Sequence, residues 1–213
     1  MIEVPTARLL KPSAVSAGMG WYNEADTVTT FVDVGLAPDL EVNAVRVDVE
    51  GGPDKTVFGA KMLLLKGLPP TPAPPTAPAP TPEQVLERAV KSKARQIIER
   101  LLRPAVAVGV RNANDERLPG MDGAQFYVVA SARIPVVKLD AHYGFLKDRR
   151  KLGVIMGANL DVGRYTLLAE YERDHVNAGL RAELGRGLSA MVALRDVDGR
   201  RDLLLSANWR LSF

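Results

Sequence analysis

Apolar and polar residues alternate along most of the chain, and the pattern is clearest in the last stretch, residues 201–213. One face of this stretch would carry Leu203, Leu205, Ala207, Trp209, Leu211 and Phe213, and the other Leu204, Ser206, Asn208, Arg210 and Ser212. Because successive side chains of a strand point to opposite faces, the pattern predicts a two-faced β-strand that ends on an aromatic residue. Alone, such a strand fits the edge of a soluble β-sandwich as well as a membrane β-barrel. Which of the two it indicates depends on whether the same alternation recurs along the chain.

The alternation does recur, and it predicts an all-β fold of about twelve strands. The predicted strands are 15–22, 27–36, 40–50, 56–65, 105–111, 125–133, 137–145, 153–162, 165–172, 176–184, 188–195 and 201–213. Within 40–50 the apolar residues move from even positions (Leu40, Val42, Ala44) to odd ones (Val45, Val47, Val49). A shift of one residue predicts a β-bulge in this strand.

Residues 68–103, between the fourth and fifth predicted strands, break the pattern. Residues 68–82 (LPPTPAPPTAPAPTP) hold eight of the fifteen prolines of the chain, which predicts an extended polyproline-like spacer. An amphipathic helix is predicted over 83–102, with Thr81 as its N-cap and Gln84 at the capping-box position. Its apolar stripe comprises Val85, Leu86, Val90, Ile97, Ile98 and Leu101. The helix could pack on its own domain, dock a partner or plug a lumen.

Three features favour a transmembrane antiparallel β-barrel, with residues 1–213 as one domain, over a soluble sandwich. Minimal connections (37–39, 134–135, 163–164 and 185–187) alternate with longer, charged ones (23–26, 112–123, 147–151 and 196–201), as in barrels with short periplasmic turns. Aromatic residues of the apolar face cluster at strand ends, where interfacial girdles form: Trp21, Phe145, Tyr165, Tyr171, Trp209 and Phe213. The apolar face has almost no charge, whereas the opposite face would line a polar lumen.

The predicted lumen-lining residues are Asp33, Lys138, Asp140, His142, Glu170, Glu172, Arg181, Glu183, Arg195 and Arg210. Opposite charges facing each other in a narrow lumen would either pair and nearly close it or screen permeants by charge. The sequence does not distinguish these two outcomes.

Composition excludes several other classes. The chain lacks the run of about 18 apolar residues that a transmembrane helix needs. It contains no cysteine, which excludes disulfides and thiolate chemistry, and its formal charge of +3 argues against nucleic acid as a partner. The first residues show neither a basic nor an apolar leader region, so a barrel with this sequence is expected to be a mature or re-engineered form.

The terminal strand ending at Phe213 resembles the last strand of bacterial outer-membrane β-barrels. The runs 104–111 (PAVAVGVR), 127–131 (YVVAS), 168–171 (LAEY) and 176–181 (VNAGLR) are similar to the YjbH-type, exopolysaccharide-associated barrels over most of residues 7–213. The resemblance implies an outer-membrane location, with outer-membrane lipids and the barrel-assembly machinery as partners. It supplies no catalytic residue, and the 68–103 insert departs from it.

The chemistry-bearing residues give little reason to expect an enzyme. His142 would share the lumen face with Asp140 and Ser131, an arrangement that leaves an outer-membrane hydrolase as a minor alternative. His175 lies in a tight charged loop, where a solvated side chain is expected. Neither a metal-ligand spacing nor a phosphate-binding glycine loop is present, so no metal and no cofactor are expected.

The main functional prediction is an outer-membrane anchor or channel component of an envelope or polysaccharide-export assembly. An even strand count places both termini and the 68–103 insert on the periplasmic side, where residues 83–102 would contact an envelope protein or the barrel mouth. The alternative is a small passive-diffusion porin for polar solutes. A hydrolase and a soluble β-sandwich are the remaining alternatives.

Overall fold

The chain folds into fourteen described β-strands and their connections. The structure, a computed structural model, describes residues 9–23, 26–66, 104–118, 121–134, 137–197 and 200–213. The strands are β1 (Ala14–Tyr22), β2 (Thr27–Ala37), β3 (Leu40–Val49), β4 (Lys55–Leu65), β5 (Ala105–Arg111), β6 (Arg117–Leu118), β7 (Met121–Asp122), β8 (Gln125–Ile134), β9 (Leu139–Lys147), β10 (Leu152–Val162), β11 (Tyr165–Glu172), β12 (His175–Gly185), β13 (Leu188–Val197) and β14 (Arg200–Ser212).

Twelve of the described strands close into one antiparallel barrel, in which each strand pairs with its neighbours along the chain and β1 pairs with β14. The short strands β6 and β7 form a separate hairpin between β5 and β8. The all-β, closed antiparallel barrel of about twelve strands predicted from the alternation is therefore confirmed. The predicted proline-rich spacer and helix at 68–103 fall outside the described residues.

The barrel has two distinct ends. At the terminus end, β1 begins, β14 finishes, and the chain turns after β2, β8, β10 and β12. At the loop end lie the connections after β1, β3, β5, β9, β11 and β13. Since β4 runs from the loop end and β5 returns to it, the insert between them leaves and rejoins the barrel at the terminus end. Where residues 68–103 lie relative to the chain termini stays a prediction, because they fall outside the described residues.

Register assigns the facing of β3 and corrects the predicted bulge. Pairing is continuous from Glu41 to Val49 with β2 and from Leu40 to Val47 with β4, so β3 contains no bulge. The apolar shift has another cause, because Val45 and Val47 face inward and pack with Val57. Register shifts occur elsewhere, between Gly35 and Ala37, Leu63 and Leu65, and Glu183 and Gly185.

Large inward side chains lie flat against the wall, over glycines of the neighbouring strand. Phe31 covers Gly18, Tyr127 covers Gly109, and the His142 imidazole covers Gly157. A Cβ atom at any of these glycines would collide with the covering ring, so the residues are matched in pairs. This arrangement resembles the aromatic rescue of sheet glycines.

The outward face is apolar over most of its height. Exposed outward residues include Val32, Phe126, Phe145, Leu167, Val176, Leu180, Leu194, Leu205 and Trp209. Outward charges such as Arg46, Asp48 and Lys147 lie near the loop end, where Arg46 pairs with Asp48 at 2.8 Å. Within the described part of the chain, no helix has the length and hydropathy that a bilayer span requires.

Candidate functional site: the barrel interior

Charged residues surround the interior at the terminus end, and several are paired. Arg133 on β8 contacts Asp161 on β10 at 3.2 Å and Asp140 on β9 at 3.8 Å. Thr166 donates a hydrogen bond of 2.9 Å to the same Asp161. Further round the wall, Lys61 on β4 pairs with Glu41 on β3 at 3.0 Å. Alternation along each strand explains the arrangement, because all these residues occupy inward positions.

The segment that precedes β1 crosses the inner wall at this same end. The Leu10 amide donates a 2.7 Å hydrogen bond to Glu41, and the carbonyl of Lys11 lies directly against Gly35. Any side chain at position 35 would collide with that carbonyl, so the glycine makes room for the segment. Glu41 therefore has two partners, the Lys61 ammonium and the Leu10 amide, and fixes residues 9–11 across β2 and β3.

A salt bridge spans the interior at the loop end. Arg111, the last residue of β5, contacts Glu172, the last residue of β11, at 2.9 Å. Three strands (β8, β9 and β10) separate these two in the wall, so the pair is a chord across the barrel rather than a neighbour contact. Both side chains are largely shielded, with exposed fractions of 9% for Arg111 and 20% for Glu172. The chord narrows the interior at that height.

Apolar side chains also line parts of the interior. Ala107, Val129, Leu146 and Ile155 have no exposed surface and pack with Tyr127 on the wall formed by β5, β8, β9 and β10. Tyr22, Ala193 and Leu204 form a second buried cluster on β1, β13 and β14. The interior therefore contains apolar patches beside its charged residues, whereas the sequence predicted a polar lumen.

The structure places most of the predicted lumen residues on inward strand positions. These are Asp33, Asp140, His142, Glu170, Glu172, Arg181, Glu183, Arg195 and Arg210. Lys138 differs, because it lies exposed in the turn before β9 with a φ of 52°. The charged face that the sequence predicts also includes Lys61, Arg111, Arg133 and Asp161, and the structure places all four inward. The inward charged residues Glu41, Lys55 and Asp202 were not predicted, although strict alternation could have found them.

The minor alternative of a Ser/His/Asp hydrolase rests on three neighbouring inward residues. Ser131 and His142 are register partners on β8 and β9, and Asp140 is two residues from His142. The imidazole nevertheless turns towards Gly157, and its Nε2 atom is buried without a hydrogen-bond partner.

His175, expected in a solvated loop, is instead the first residue of β12 and pairs with Glu172 in the register. Among the described side chains, no group of three or more His, Asp or Glu residues could hold a metal ion.

The predicted girdle residues lie on the outer face near the ends of the barrel. Trp21, Phe145 and Tyr171 are near the loop end, and Tyr165, Trp209 and Phe213 near the terminus end. Two of them make polar contacts there: Trp209 Nε1 donates to the Arg186 carbonyl at 3.3 Å, and the Tyr165 hydroxyl accepts from Arg164 at 2.9 Å. The outward aromatic residues Phe58, Phe126 and Tyr143 were not predicted, and all three are exposed.

The connection after β5 is held at the loop end by side-chain hydrogen bonds. Asn112 is 2% exposed, and its side-chain amide makes two of these hydrogen bonds. The Nδ2 atom donates to the Gly123 carbonyl at 3.1 Å, and the Oδ1 atom accepts from the Glu116 amide at 3.0 Å. Asn114 donates a hydrogen bond to the Thr56 carbonyl at 2.7 Å, which joins this connection to the start of β4. Asp115 pairs with Arg149 of the connection after β9. The loop end is therefore cross-linked by polar contacts between connections.

Asp148 links the connection after β9 to the connection after β11. Its carboxylate accepts from the amides of Arg150 and Lys151 at 2.8 and 2.7 Å and pairs with Arg173. Burial alone would raise the pKa of Asp148, but the Lys151 and Arg150 amides and the Arg173 guanidinium outweigh it and hold the pKa below its usual value. A lowered folded-state pKa contributes stability above the unfolded pKa, and that contribution is lost as pH falls through the folded value.

We expect Asp148→Asn to loosen the connection 148–151, because the neutral amide cannot pair with Arg173. Arg149, Arg150 and Lys151 are trypsin sites, so cleavage there at neutral pH should be roughly tenfold faster than in the wild type. Asp174→Asn, in the exposed neighbouring turn, is the matched control and should cleave at the wild-type rate. As pH falls below about 4, the unfolded-state pKa of an aspartate, the difference in urea stability between Asp148→Asn and the wild type should shrink, and it should vanish only below the lowered folded-state pKa of Asp148. Equal cleavage of all three proteins would contradict this role for Asp148.

Comparison with known proteins identifies the fold. A solved structure named "KdgM porin" has the same architecture. It aligns over 94% of this chain and 99% of its own, with a TM-score of 0.59 and 10% sequence identity. At that identity the similarity shows the fold alone. No protein-family model matches the chain. No curated protein matches it either.

Proposed function

We propose that the protein is a small passive-diffusion porin of the bacterial outer membrane. The observation that carries the proposal is the distribution of side chains, which is the reverse of that in a soluble protein. Apolar residues such as Leu180 and Val176 are exposed on the outer wall, and charged residues face inward. A soluble barrel would have the opposite arrangement, because so large an exposed apolar surface is unfavourable in water. Spanning strands with an apolar outer band and a polar interior are typical of bilayer barrels. The fold shared with a porin supports the same function.

The charges of the interior favour small polar solutes of either sign. Among the described inward positions, eight are acidic and seven basic: Asp33, Glu41, Asp140, Asp161, Glu170, Glu172, Glu183 and Asp202, against Lys55, Lys61, Arg111, Arg133, Arg181, Arg195 and Arg210. Several of these charges neutralise one another, as in the Arg111–Glu172 chord. A nearly balanced lining gives weak selection by charge, so size would limit passage.

Two measurements test the proposal. The folded protein should migrate anomalously on an unboiled denaturing gel and should require detergent or lipid to stay in solution. In planar bilayers it should give discrete conductance steps, with a cation-to-anion permeability ratio within a few-fold of unity. Full solubility without detergent would overturn the membrane location. A folded, inserted barrel that shows no conductance and admits no sugar into liposomes would overturn the porin function alone.

Residues 83–102 are proposed to contact the barrel mouth or an envelope protein, since the insert joins the barrel at the terminus end. We predict that deletion of 68–103, with β4 and β5 joined by a short turn, leaves a foldable barrel. Its conductance, or the set of proteins that co-purify with it, should change. A control in which 83–102 is kept but its stripe residues Val90 and Ile97 become Ser should reproduce that change. Loss of barrel folding in the deletion would show that the insert belongs to the fold.

An anchoring role in polysaccharide export has no support in the comparisons, and the resemblance to YjbH-type barrels has none beyond the barrel fold. The passive porin also needs no partner to act. We therefore place the porin first, and outer-membrane lipids and the barrel-assembly machinery remain its proposed partners.

A further inference from the structure

An open apolar depression of about 700 Å³ lies in the outer wall, across β12, β13, β14 and β1. Its floor contains Ala182, Ala190 and Ala207, which are side by side in one register row. The next row towards the loop end holds the larger Leu180, Val192 and Leu205. Three small side chains beside a row of large ones leave the wall recessed at this point.

Two arginines lie beyond the depression, in turns of the terminus end. Tyr165 pairs with Ala182 in the register and faces outward. The Arg164 guanidinium stacks on the Tyr165 ring at 5.1 Å, which keeps this charge on the outer surface. Arg186 lies in the turn after β12, four residues beyond Ala182, or about 13 Å along an extended strand. Trp209, whose indole donates to the Arg186 carbonyl, holds that turn against the outer face.

We propose that the depression binds one acyl chain of an anionic phospholipid, whose phosphate contacts Arg164 and Arg186. The recess is lined almost entirely by apolar atoms and extends from the alanine row towards the loop end, so an acyl chain whose phosphate lies at the arginines would enter it lengthwise. Guanidinium groups bind phosphate oxygens in a planar, two-point geometry. The girdle residues Tyr165 and Trp209 place the arginines at the level of lipid headgroups. Charge complementarity therefore favours a phospholipid over a second copy, whose two-fold contact would bring the same arginines together.

This site depends on the bilayer location proposed above, but it does not depend on permeation. A barrel that binds the lipid and conducts no ions would remove the porin function and keep the lipid site. A conducting barrel without specific lipid binding would do the reverse.

The test uses full-length protein refolded from urea, so that it carries no cellular lipid. Native mass spectrometry in detergent measures binding of phosphatidylglycerol. Ala190→Leu fills the floor, and the double variant Arg164→Gln/Arg186→Gln removes the charge. The double variant should weaken binding roughly 30-fold, since each surface arginine near an anionic lipid contributes about 1 kcal/mol. Ala190→Leu should lower the occupancy of the tightly bound lipid at least severalfold.

Matched controls separate this site from ordinary lipid contact. Ala130→Leu makes the same change on outward-facing β8, and Lys138→Gln removes a charge from another turn of the terminus end. Both should bind like the wild type, and a gel shift should show that every variant folds. Equal binding of phosphatidylglycerol by all variants would overturn the site. Glycerophosphoglycerol lacks acyl chains, so the site would also be overturned if it competed for binding as well as phosphatidylglycerol does. A wild-type dimer that Ala190→Leu abolishes would assign the depression to contact between copies instead.

Discussion

Replacing Leu180 with arginine should destabilise the barrel by roughly 2–4 kcal/mol, the cost of a cation near the bilayer midplane. Leu180 is the central residue of β12, faces outward and is 38% exposed on the outer wall. Its register neighbours Leu167 and Val192 are apolar, so no nearby acid can pair with the new charge. The measurement is equilibrium unfolding by urea in lipid vesicles, followed by fluorescence of the two tryptophans of the chain.

Ser189→Arg is the matched control for this prediction. Ser189 lies inward on β13 and pairs with Glu183 and Asn208, so an arginine there faces polar groups and an acid. The free energy of unfolding of the Ser189→Arg variant should stay within about 1 kcal/mol of the wild-type value. If the two variants are equally unstable, either the facing of β12 or the location of the barrel in a bilayer is wrong. The pair of variants therefore tests both assignments at once.

The strand alternation was sufficient to predict the barrel because facing in a closed sheet is a local property. Outward positions of β14, such as Leu205, Ala207 and Trp209, follow a strict two-residue repeat in the sequence and keep it in the structure. Strand pairing was also predictable, since each described barrel strand pairs with its neighbours along the chain. Short connections leave few other topologies.

The error in β3 has a physical cause. The prediction assumed that the apolar positions of this strand all face outward, so the inward valines Val45 and Val47 were attributed to a bulge. An interior narrow enough for side chains to meet also accepts apolar residues, as the buried clusters show. Without that assumption, alternation from Leu40 would have placed Glu41 inside, beside Lys61.

Contacts across the barrel could not be predicted from the sequence. Alternation shows that Arg111 and Glu172 both face inward, but it does not give their heights relative to each other. That relation depends on strand tilt and stagger accumulated over β8, β9 and β10, which individual strand patterns do not encode. The same holds for the Arg173–Asp148 pair, which joins two connections.

Removing one partner of the Arg111–Glu172 chord should be costly and should also widen the interior. Arg111→Met leaves the Glu172 carboxylate without its 2.9 Å partner in a site where only 20% of the side chain is exposed. An ion left unpaired in a shielded site typically costs about 3–5 kcal/mol, and the remaining exposure of Glu172 places the expected loss at about 2–3 kcal/mol. Urea unfolding in vesicles measures it, and single-channel conductance of the same preparation should rise.

The double variant Arg111→Met/Glu172→Leu separates charge from constriction. Because both ions are gone, most of the lost stability should return, while conductance should remain above the wild-type value if the chord limits passage. Arg46→Met is the control, since Arg46 forms its ion pairs with Asp48 and Asp54 on the outer face and should change neither quantity by much. A double variant that regains stability but conducts like the wild type would show that the chord stabilises the barrel without limiting passage. The narrowest part of the permeation path would then lie at another height, such as that of the charges at the terminus end.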